Sequence, residues 1–161
     1  MAPGEQTETA LMPEPSDDPP LFRLFTEIGI IEQLARNRWE RVLPDGLKVS
    51  QFAVLNHLVR LGGAWSPARL ARAFQVTKGA MTNTLQRLQA RGLVVVTADP
   101  ADGRGKLVRL TPAGRAMRER CLMTVEPLLS ELARELSADD LATALPVLEK
   151  LRIYLDTHRG A

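Results

Sequence analysis

The hydrophobic side chains of this chain recur every three or four residues over most of its length, a spacing typical of amphipathic α-helices. The first such stretch runs from Leu21 to about Val42, where Pro44-Asp45-Gly46 ends it. The second has Ser50 as its candidate N-cap and stops at Gly62-Gly63. Capping residues mark four further starts, and these helices are predicted at Ser66-Pro67 to Phe74, Thr77 to Arg91, Thr111-Pro112 onward, and Ser137 to about His158.

Between the fourth and fifth helices the pattern changes to that of two short strands. Leu93 to Thr97 is rich in β-branched residues, and Lys106 to Leu110 alternates between two faces. The residues Asp99 to Gly105 between them are turn formers. The sequence therefore predicts a mainly α fold with a small antiparallel β-wing, a hairpin whose charged tip is exposed.

The length of 161 residues is enough for one domain of ordinary size. Residues 1–20 hold five prolines and five acidic side chains but few apolar ones, so we predict a disordered tail there and a single domain over residues 21–161. Two prolines fall inside the last two predicted helices. We expect Pro127 to kink the fifth helix, and Pro146 to kink or split the sixth.

Charge is distributed unevenly along the chain, although the net charge is only +2. Residues 50–120 carry 12 basic and 3 acidic side chains, whereas the segments on either side are both net acidic. Phosphate contacts supply most sequence-independent affinity for nucleic acid, so a basic centre favours a nucleic-acid partner. A solvated basic face is the alternative explanation.

Several classes of protein do not fit this sequence. The longest apolar run is about as long as Leu93 to Val96, whereas a bilayer span needs roughly 20 apolar residues, so no membrane partner is expected. The acidic N-terminus lacks the order of a secretory signal, which predicts a cytoplasmic protein. With one cysteine, Cys121, and two histidines, His57 and His158, we expect no metal and no cofactor. No catalytic grouping is recognisable, so we predict that the chain is not an enzyme.

The order of elements is that of a winged helix-turn-helix with extra helices at both ends, in which the second helix of the motif enters the DNA major groove. The exposed face of that helix is polar and basic, and its side chains suit hydrogen bonding to base edges and phosphates. Asn83 and Gln86 suit adenine, and Gly79 would allow a phosphate to come close. The alternative for each is an ordinary exposed helix residue. The candidate DNA-binding residues at the helix-turn-helix are Ser66, Thr77, Lys78, Gly79, Thr82, Asn83, Gln86 and Arg87.

The wing supplies three more candidates for DNA binding. Arg104 carries a long cation on a glycine-flanked tip, Asp102 can pair with its guanidinium, and Lys106 lies beside the tip. An exposed pair of this kind contributes only about 0 to 1 kcal/mol, so its value would be in the shape of the loop. A simple solvated turn is the alternative explanation.

These motifs resemble the MarR family of bacterial transcriptional regulators over about Leu21 to Leu155. The most specific stretches are LARAFQVTKGAMTNTLQRLQARGLV and DPADGRGKLVRLTPAG. Asp102, Arg104, Leu110, Thr111 and Gly114 stand where the family pattern has its wing Asp and Arg, a Leu-Thr and a helix-opening Gly. The resemblance implies a homodimer that places two winged modules on a pseudo-palindromic operator in double-stranded DNA. It also implies a small aromatic or phenolic effector that relieves repression.

The resemblance also divides the domain into a DNA lobe, residues 47–111, and dimerisation helices, residues 21–46 and 112–158. The apolar side chains near both ends exceed what one small core requires, although an intrachain helix pair is the alternative. Cys121 is interpreted as a packed small hydrophobe. The candidate dimerisation residues are Phe22, Phe25, Ile28, Leu145, Leu148, Leu151 and Leu155.

The sequence thus predicts a sequence-specific DNA-binding regulator, a homodimeric repressor relieved by a small-molecule ligand. A winged helix used for protein contacts, or a non-specific architectural DNA binder, is the alternative. The ligand-binding residues, the operator sequence, and the choice between repressor and activator stay open at this stage.

Overall fold

The computed structural model describes residues 18–158, apart from the side chain of Arg104. It is mostly helical with one small antiparallel sheet, which confirms the predicted fold class. The α-helices are α1 (Pro20–Val42), α2 (Val49–Leu61), α3 (Pro67–Ala73), α4 (Lys78–Ala90), α5 (Pro112–Glu135) and α6 (Ala138–Thr157), and the strands are β1 (Val94–Asp99) and β2 (Asp102–Leu110). A short 3-10 turn, Pro44–Gly46, joins α1 to α2.

Two boundaries differ from the prediction near the N-terminus. Helix α1 begins at Pro20, inside the segment predicted as a tail, because proline is well suited to the first position of a helix. The rest of that prediction, residues 1–17, lies outside the described residues. The chain forms two compact units, and the boundary between them falls between Asn37 and Arg38, within α1.

Ser50 is not the N-cap of α2, which is Lys48. The backbone N–H of Lys48 donates to Oε1 of Gln51 at 3.0 Å, and the N–H of Val49 donates to Oε1 of Glu40 at 3.3 Å. The Glu40 carboxylate also pairs with Nζ of Lys48 at 3.1 Å. A carboxylate nine residues upstream therefore satisfies a free N–H of the first turn, which no local pattern reveals.

The wing strands are longer than predicted because the turn-forming residues are absorbed into β2. Strand partners run from Val94 with Leu110 to Ala98 with Lys106, and the next pair is Asp99 with Asp102. Ala98 and Asp99 are consecutive on β1, but their partners on β2, Lys106 and Asp102, are four residues apart. The backbone of residues 103–105 bulges out of the ladder, and only two residues form the turn itself.

Both prolines predicted to disturb helices lie inside continuous ones. Helix α5 runs through Pro127 to Glu135, and α6 runs unbroken through Pro146. The prediction that Pro146 could split α6 is therefore wrong. The predicted cap at the start of α6 is present as a capping box, since Ser137 and Asp140 each accept from the other's backbone N–H.

One hydrophobic core is built from α2, α3, α4, the wing and the first half of α5. Leu47, Leu55, Leu70, Leu88 and Val108 are fully buried at its centre. Met117, Cys121 and Val125 of α5 join the same cluster, so this half of α5 packs as part of the DNA lobe. Cys121 is a buried thiol whose pKa is raised by burial, as expected of a packed small hydrophobe.

Thr111 fastens the wing to α5. Its backbone N–H donates to the carbonyl of Leu93 at 3.2 Å, and its hydroxyl donates to the carbonyl of Gly92 at 2.7 Å. The same hydroxyl caps α5 by accepting from the N–H of Gly114 at 3.0 Å. A β-carbon at Gly114 would collide with the Leu93 carbonyl oxygen and lie 2.9 Å from Cδ1 of Leu110, so only glycine allows this approach.

Candidate nucleic-acid interface

Helix α4 separates its side chains into a buried apolar face and an exposed polar face. Met81, Leu85 and Leu88 are buried against the core, which confirms the predicted inner face. The five predicted DNA-binding side chains of the helix other than its glycine are all exposed, namely those of Lys78, Thr82, Asn83, Gln86 and Arg87. The burial of the first three therefore fixes which side of α4 faces solvent.

Hydrogen bonds within α4 already engage some of these side chains. The hydroxyl of Thr82 donates to the carbonyl of Lys78 at 2.8 Å, so it can only accept from a partner or offer its methyl group. Nε of Arg87 donates to Oδ1 of Asn83 at 3.1 Å. A bidentate contact from Asn83 to adenine needs both its amide oxygen and its amide nitrogen, so Arg87 must turn away or share that oxygen.

The start of α4 is capped as predicted and is open to an approaching group. Thr77 accepts a hydrogen bond from the backbone N–H of Ala80 at 3.1 Å. A β-carbon at Gly79 would meet no atom within 4 Å, so packing within the chain does not require glycine there. Ser66 occupies the equivalent cap of α3 and accepts from the N–H of Arg69 at 3.2 Å.

The wing tip is shaped by its acidic and glycine residues. Oδ1 of Asp99 accepts from the N–H of Ala101 at 2.9 Å, which stabilises the two-residue turn. A β-carbon at Gly105 would lie 3.0 Å from Cβ of Asp99, so the bulge leaves little space for a side chain. Asp102 and Lys106, both predicted sites, are exposed on this hairpin, and the backbone of Arg104 lies in the bulge between them.

Two surface depressions adjoin α4 and include residues that the sequence reasoning missed. A groove of about 690 Å³ lies at the turn between α3 and α4 and is lined by Arg72, Gln75 and Lys78, among others. A cleft of about 310 Å³ between α4 and the wing is lined by Gln89 and Lys106, among others. The helical spacing of Arg72 and Gln89 placed them on exposed faces, but only the folded lobe brings them beside the predicted residues.

His57 is packed into the DNA lobe between two aromatic rings. Its ring centroid lies 4.5 Å from that of Trp65 and 5.2 Å from that of Phe74. Burial, followed by the charges of Arg60 and Arg69, lowers its pKa below the ordinary 6.5. The imidazole is therefore neutral at pH 7, and no acidic side chain among residues 18–158 forms a hydrogen bond or an ion pair with it, so it is packed as a helix side chain and not arranged as a general base.

Comparison with known proteins identifies the chain. The model of the MarR family matches residues 45–105. The multiple antibiotic resistance protein MarR of Escherichia coli is 33% identical over 137 residues, which cover 81% of this chain and 94% of that protein. The chain belongs to the MarR family. A mutant of E. coli MarR complexed with operator DNA superposes with a TM-score of 0.71, with the same coverage of both chains.

Two further proteins resemble this chain. An HTH-type transcriptional repressor of Mycobacterium tuberculosis is 32% identical over 136 residues, covering 84% of this chain and 96% of that protein. BpsR of Bordetella bronchiseptica, described by the regulation of its DNA binding by 6-hydroxynicotinic acid, has a TM-score of 0.70 at 28% identity. That match covers 81% of this chain and 98% of BpsR. The chain is thus a transcriptional regulator of the MarR family and not an enzyme.

The helices assigned to dimerisation expose most of their apolar residues. In α1, Phe22 and Phe25 are 60% and 46% exposed, and Ile28 is half-buried. Helix α6 contains no fully buried residue. Of its candidate dimerisation residues, Leu145, Leu148 and Leu155 are exposed and Leu151 is half-buried.

Residues 18–158 contain neither a membrane-spanning helix nor a cluster of metal-ligating side chains. No helix in this part of the chain is both long and apolar enough to cross a membrane. Nor do its histidine, cysteine and acidic side chains gather in groups of three or more that could hold a metal ion.

Proposed function

We propose that this MarR-family regulator is a sequence-specific DNA-binding repressor that acts in the cytoplasm as a homodimer and is released by a small aromatic ligand. The observation that carries the proposal is the exposed face of α4, where Lys78, Asn83, Gln86 and Arg87 stand together while every large apolar side chain of the helix points inward. Such a face is suited to the major groove, whose base edges present donors and acceptors to amide and guanidinium groups.

The remaining predicted sites divide into base-reading and backbone contacts. Asn83 and Gln86 read bases, with Thr82 packing against a thymine methyl or accepting a hydrogen bond. Lys78 and Arg87 reach a guanine or a phosphate, and Thr77, Gly79 and Ser66 allow the sugar-phosphate backbone to come close. At the wing, Arg104 and Lys106 contact the neighbouring backbone while Asp102 holds the tip. Phosphate contacts set register and affinity, and base contacts set specificity.

Dimerisation is supported by the exposed apolar surface of α6. Leu145 is 54% exposed, and Leu148 and Leu155, which are 40% and 49% exposed, lie on the same face of the helix. Monomeric proteins rarely leave so large an apolar surface in water. The most economical occupant is the same surface of a second copy, because a two-fold dimer presents two equal lobes to a pseudo-palindromic operator.

Release by an aromatic ligand is supported by the description of BpsR, whose DNA binding is regulated by 6-hydroxynicotinic acid. The repressor direction is supported by the description of the mycobacterial relative. We assign no residue of this chain to the ligand. Known operator complexes in the family make DNA the first partner to test.

The test is a titration of the purified protein against a duplex from its own upstream region and against a scrambled duplex of equal composition, at several salt concentrations. We expect preference for the native duplex with a steep fall in affinity as salt rises. Addition of 6-hydroxynicotinic acid and related aromatic acids then screens for release. Equal, salt-sensitive binding to both duplexes would favour an architectural protein, and no binding at low salt would favour a protein-contact module.

A further inference from the structure

Trp65 stands between the helix-turn-helix and the wing and is held on several sides. Its indole Nε1 donates to the carbonyl of Gly62 at 2.9 Å, and its backbone exchanges two hydrogen bonds with Val108 of β2, at 3.1 and 2.8 Å. The ring of His57 meets it edge-on at 4.5 Å between centroids. Gly62 has a φ of +63°, which an L side chain rarely adopts, so the loop that supplies this carbonyl requires glycine.

The guanidinium group of Arg69 lies over the ring of Trp65. Cζ of Arg69, in α3, lies 4.3 Å from the centroid of the Trp65 ring, within the range of a cation–π interaction. Arg69 is exposed, and no acidic group between residues 18 and 158 pairs with it in a salt bridge. The positive charges of Arg60 and Arg69 both lower the pKa of His57, after the larger effect of burial. The charges beside Trp65 are therefore positive, and no salt bridge within residues 18–158 neutralises Arg69.

We propose that Arg69, held on the ring of Trp65, binds a DNA phosphate beside the groove that α4 enters, and that Trp65 is its positioning residue. The inference rests on the proposed function. In a helix-turn-helix the first helix crosses the sugar-phosphate backbone while the second enters the groove, and α3 is that first helix. An exposed cation on α3 without a carboxylate partner suits this location.

The Trp65 ring acts as a platform for Arg69 and restricts this flexible side chain before DNA binds. An arginine normally loses rotamer entropy when it binds, and stacking on an aromatic ring reduces that loss. The backbone bridge from Trp65 to Val108 also ties the platform to β2 of the wing. The bridge thereby links the backbone beside Arg69 to the strand that carries Lys106, so both cations belong to one connected part of the lobe.

The experiment compares the salt dependence of operator binding for the full chain and its variants. Each phosphate contact adds about 0.9 to the slope of log affinity against log salt. We expect Arg69→Ala to lower the slope by about 0.9 per protomer, and Arg69→Lys to retain it because the charge remains. Lys150→Ala, which removes one exposed positive charge from the side of α6 away from Leu148, serves as the control and leaves the slope unchanged.

Two further measurements test the role of Trp65. Trp65→Leu should weaken binding in the wild-type background and have no added effect in the Arg69→Ala background, whereas Trp65→Phe, which keeps a ring, should lose less. An NMR titration of His57 reports the geometry without DNA, since Arg69→Ala removes one lowering charge and should raise its pKa. This readout stays valid for any variant that remains folded.

The possible outcomes separate this inference from the proposed function. If the wild-type chain prefers its operator but Arg69→Ala keeps the full slope, the phosphate contact is wrong and the regulator stands. If Trp65→Leu and Arg69→Ala weaken binding additively, Trp65 does not act through Arg69. If the wild-type chain does not prefer its own operator at any salt, the proposed function and this inference both fall.

Discussion

The DNA lobe and α6 differ in how far they bury their apolar side chains. The buried apolar residues of the described chain all lie between Leu43 and Val125, in the lobe and the elements that adjoin it. Helix α6 has a comparable supply of leucine, yet none of its residues is fully buried. Apolar content alone therefore does not produce a buried core, because the lobe completes its own core whereas α6 leaves its leucines partly or largely exposed in the single chain.

The largest expected effect comes from placing a charge on α6. Leu148→Asp should convert the proposed homodimer to monomers, because an unpaired carboxylate would be buried in its interface. Loss of the linkage between two half-sites should lower operator affinity by about 100-fold or more. Sedimentation velocity measures the first effect, and operator titration measures the second.

Lys150→Asp is the matched control for that change. Position 150 lies about 200° around the helix from position 148, so the new charge falls on the other side of α6. We expect this variant to stay dimeric. If Leu148→Asp kept the dimer mass and the operator affinity of the wild type, α6 would not form the dimer interface. Dimerisation would then not explain why the leucines of α6 are exposed.

A smaller but still large effect is expected inside the lobe. Leu88→Ala removes a side chain that is 0% exposed and should lower the free energy of unfolding by about 2 to 5 kcal/mol. The same substitution at Leu61, which is 57% exposed, should change it by less than about 0.5 kcal/mol. Urea unfolding at fixed protein concentration measures both. Equal losses would mean that burial does not set the stability of the lobe.

Substitutions at the proposed DNA-binding side chains should distinguish two kinds of effect on DNA affinity. Asn83→Ala should relax preference at one base pair by roughly 1 to 3 kcal/mol, because a bidentate base contact is lost. Arg104→Ala should weaken binding to all duplexes and lower the salt slope by about 0.9 per protomer. Titration against operator variants distinguishes them. An Asn83→Ala variant that loses equal affinity for operator and random DNA would not be reading a base.

The smallest expected effect is the pH dependence contributed by His57. Its pKa is lower in the folded protein than in the unfolded chain, so the unfolded chain binds its proton first as pH falls below about 6.5. The stability contributed by the neutral ring is complete above that pH and is lost as pH falls through the folded pKa. His57→Phe should therefore reduce the acid-side fall in unfolding free energy, measured by urea unfolding between about pH 7 and 5. Parallel curves for the two proteins would refute the assignment.

Features set by neighbouring residues could be predicted from the sequence, and features set by distant contacts could not. The caps at Ser66, Thr77, Thr111 and Ser137 depend on hydrogen bonds across three residues, and all four are present. The start of α2 combines a local contact between Lys48 and Gln51 with Glu40, which the fold brings back from α1, so Ser50 was the wrong choice.

The same distinction applies to the candidate site. The polar face of α4 follows from helical period alone, and a short turn-rich segment located the wing. The bulge at residues 103–105 could not be predicted, since turn-forming residues are equally compatible with an open loop. Nor could the seat of Arg69 on Trp65, because the ring is oriented by Gly62 and Val108, which lie on a loop and a distant strand.

The packing of α5 determines where this protein can be cut and recombined. A chimera designed from the sequence would exchange the lobe after Thr111, where the predicted lobe ends. Met117, Cys121 and Val125 would then be separated from the core that buries them, and Gly114 from the Thr111 hydroxyl that caps its helix. A graft that carries the lobe into another scaffold must therefore include α5 as far as Val125, because the buried residues of α5 complete the hydrophobic core of the lobe.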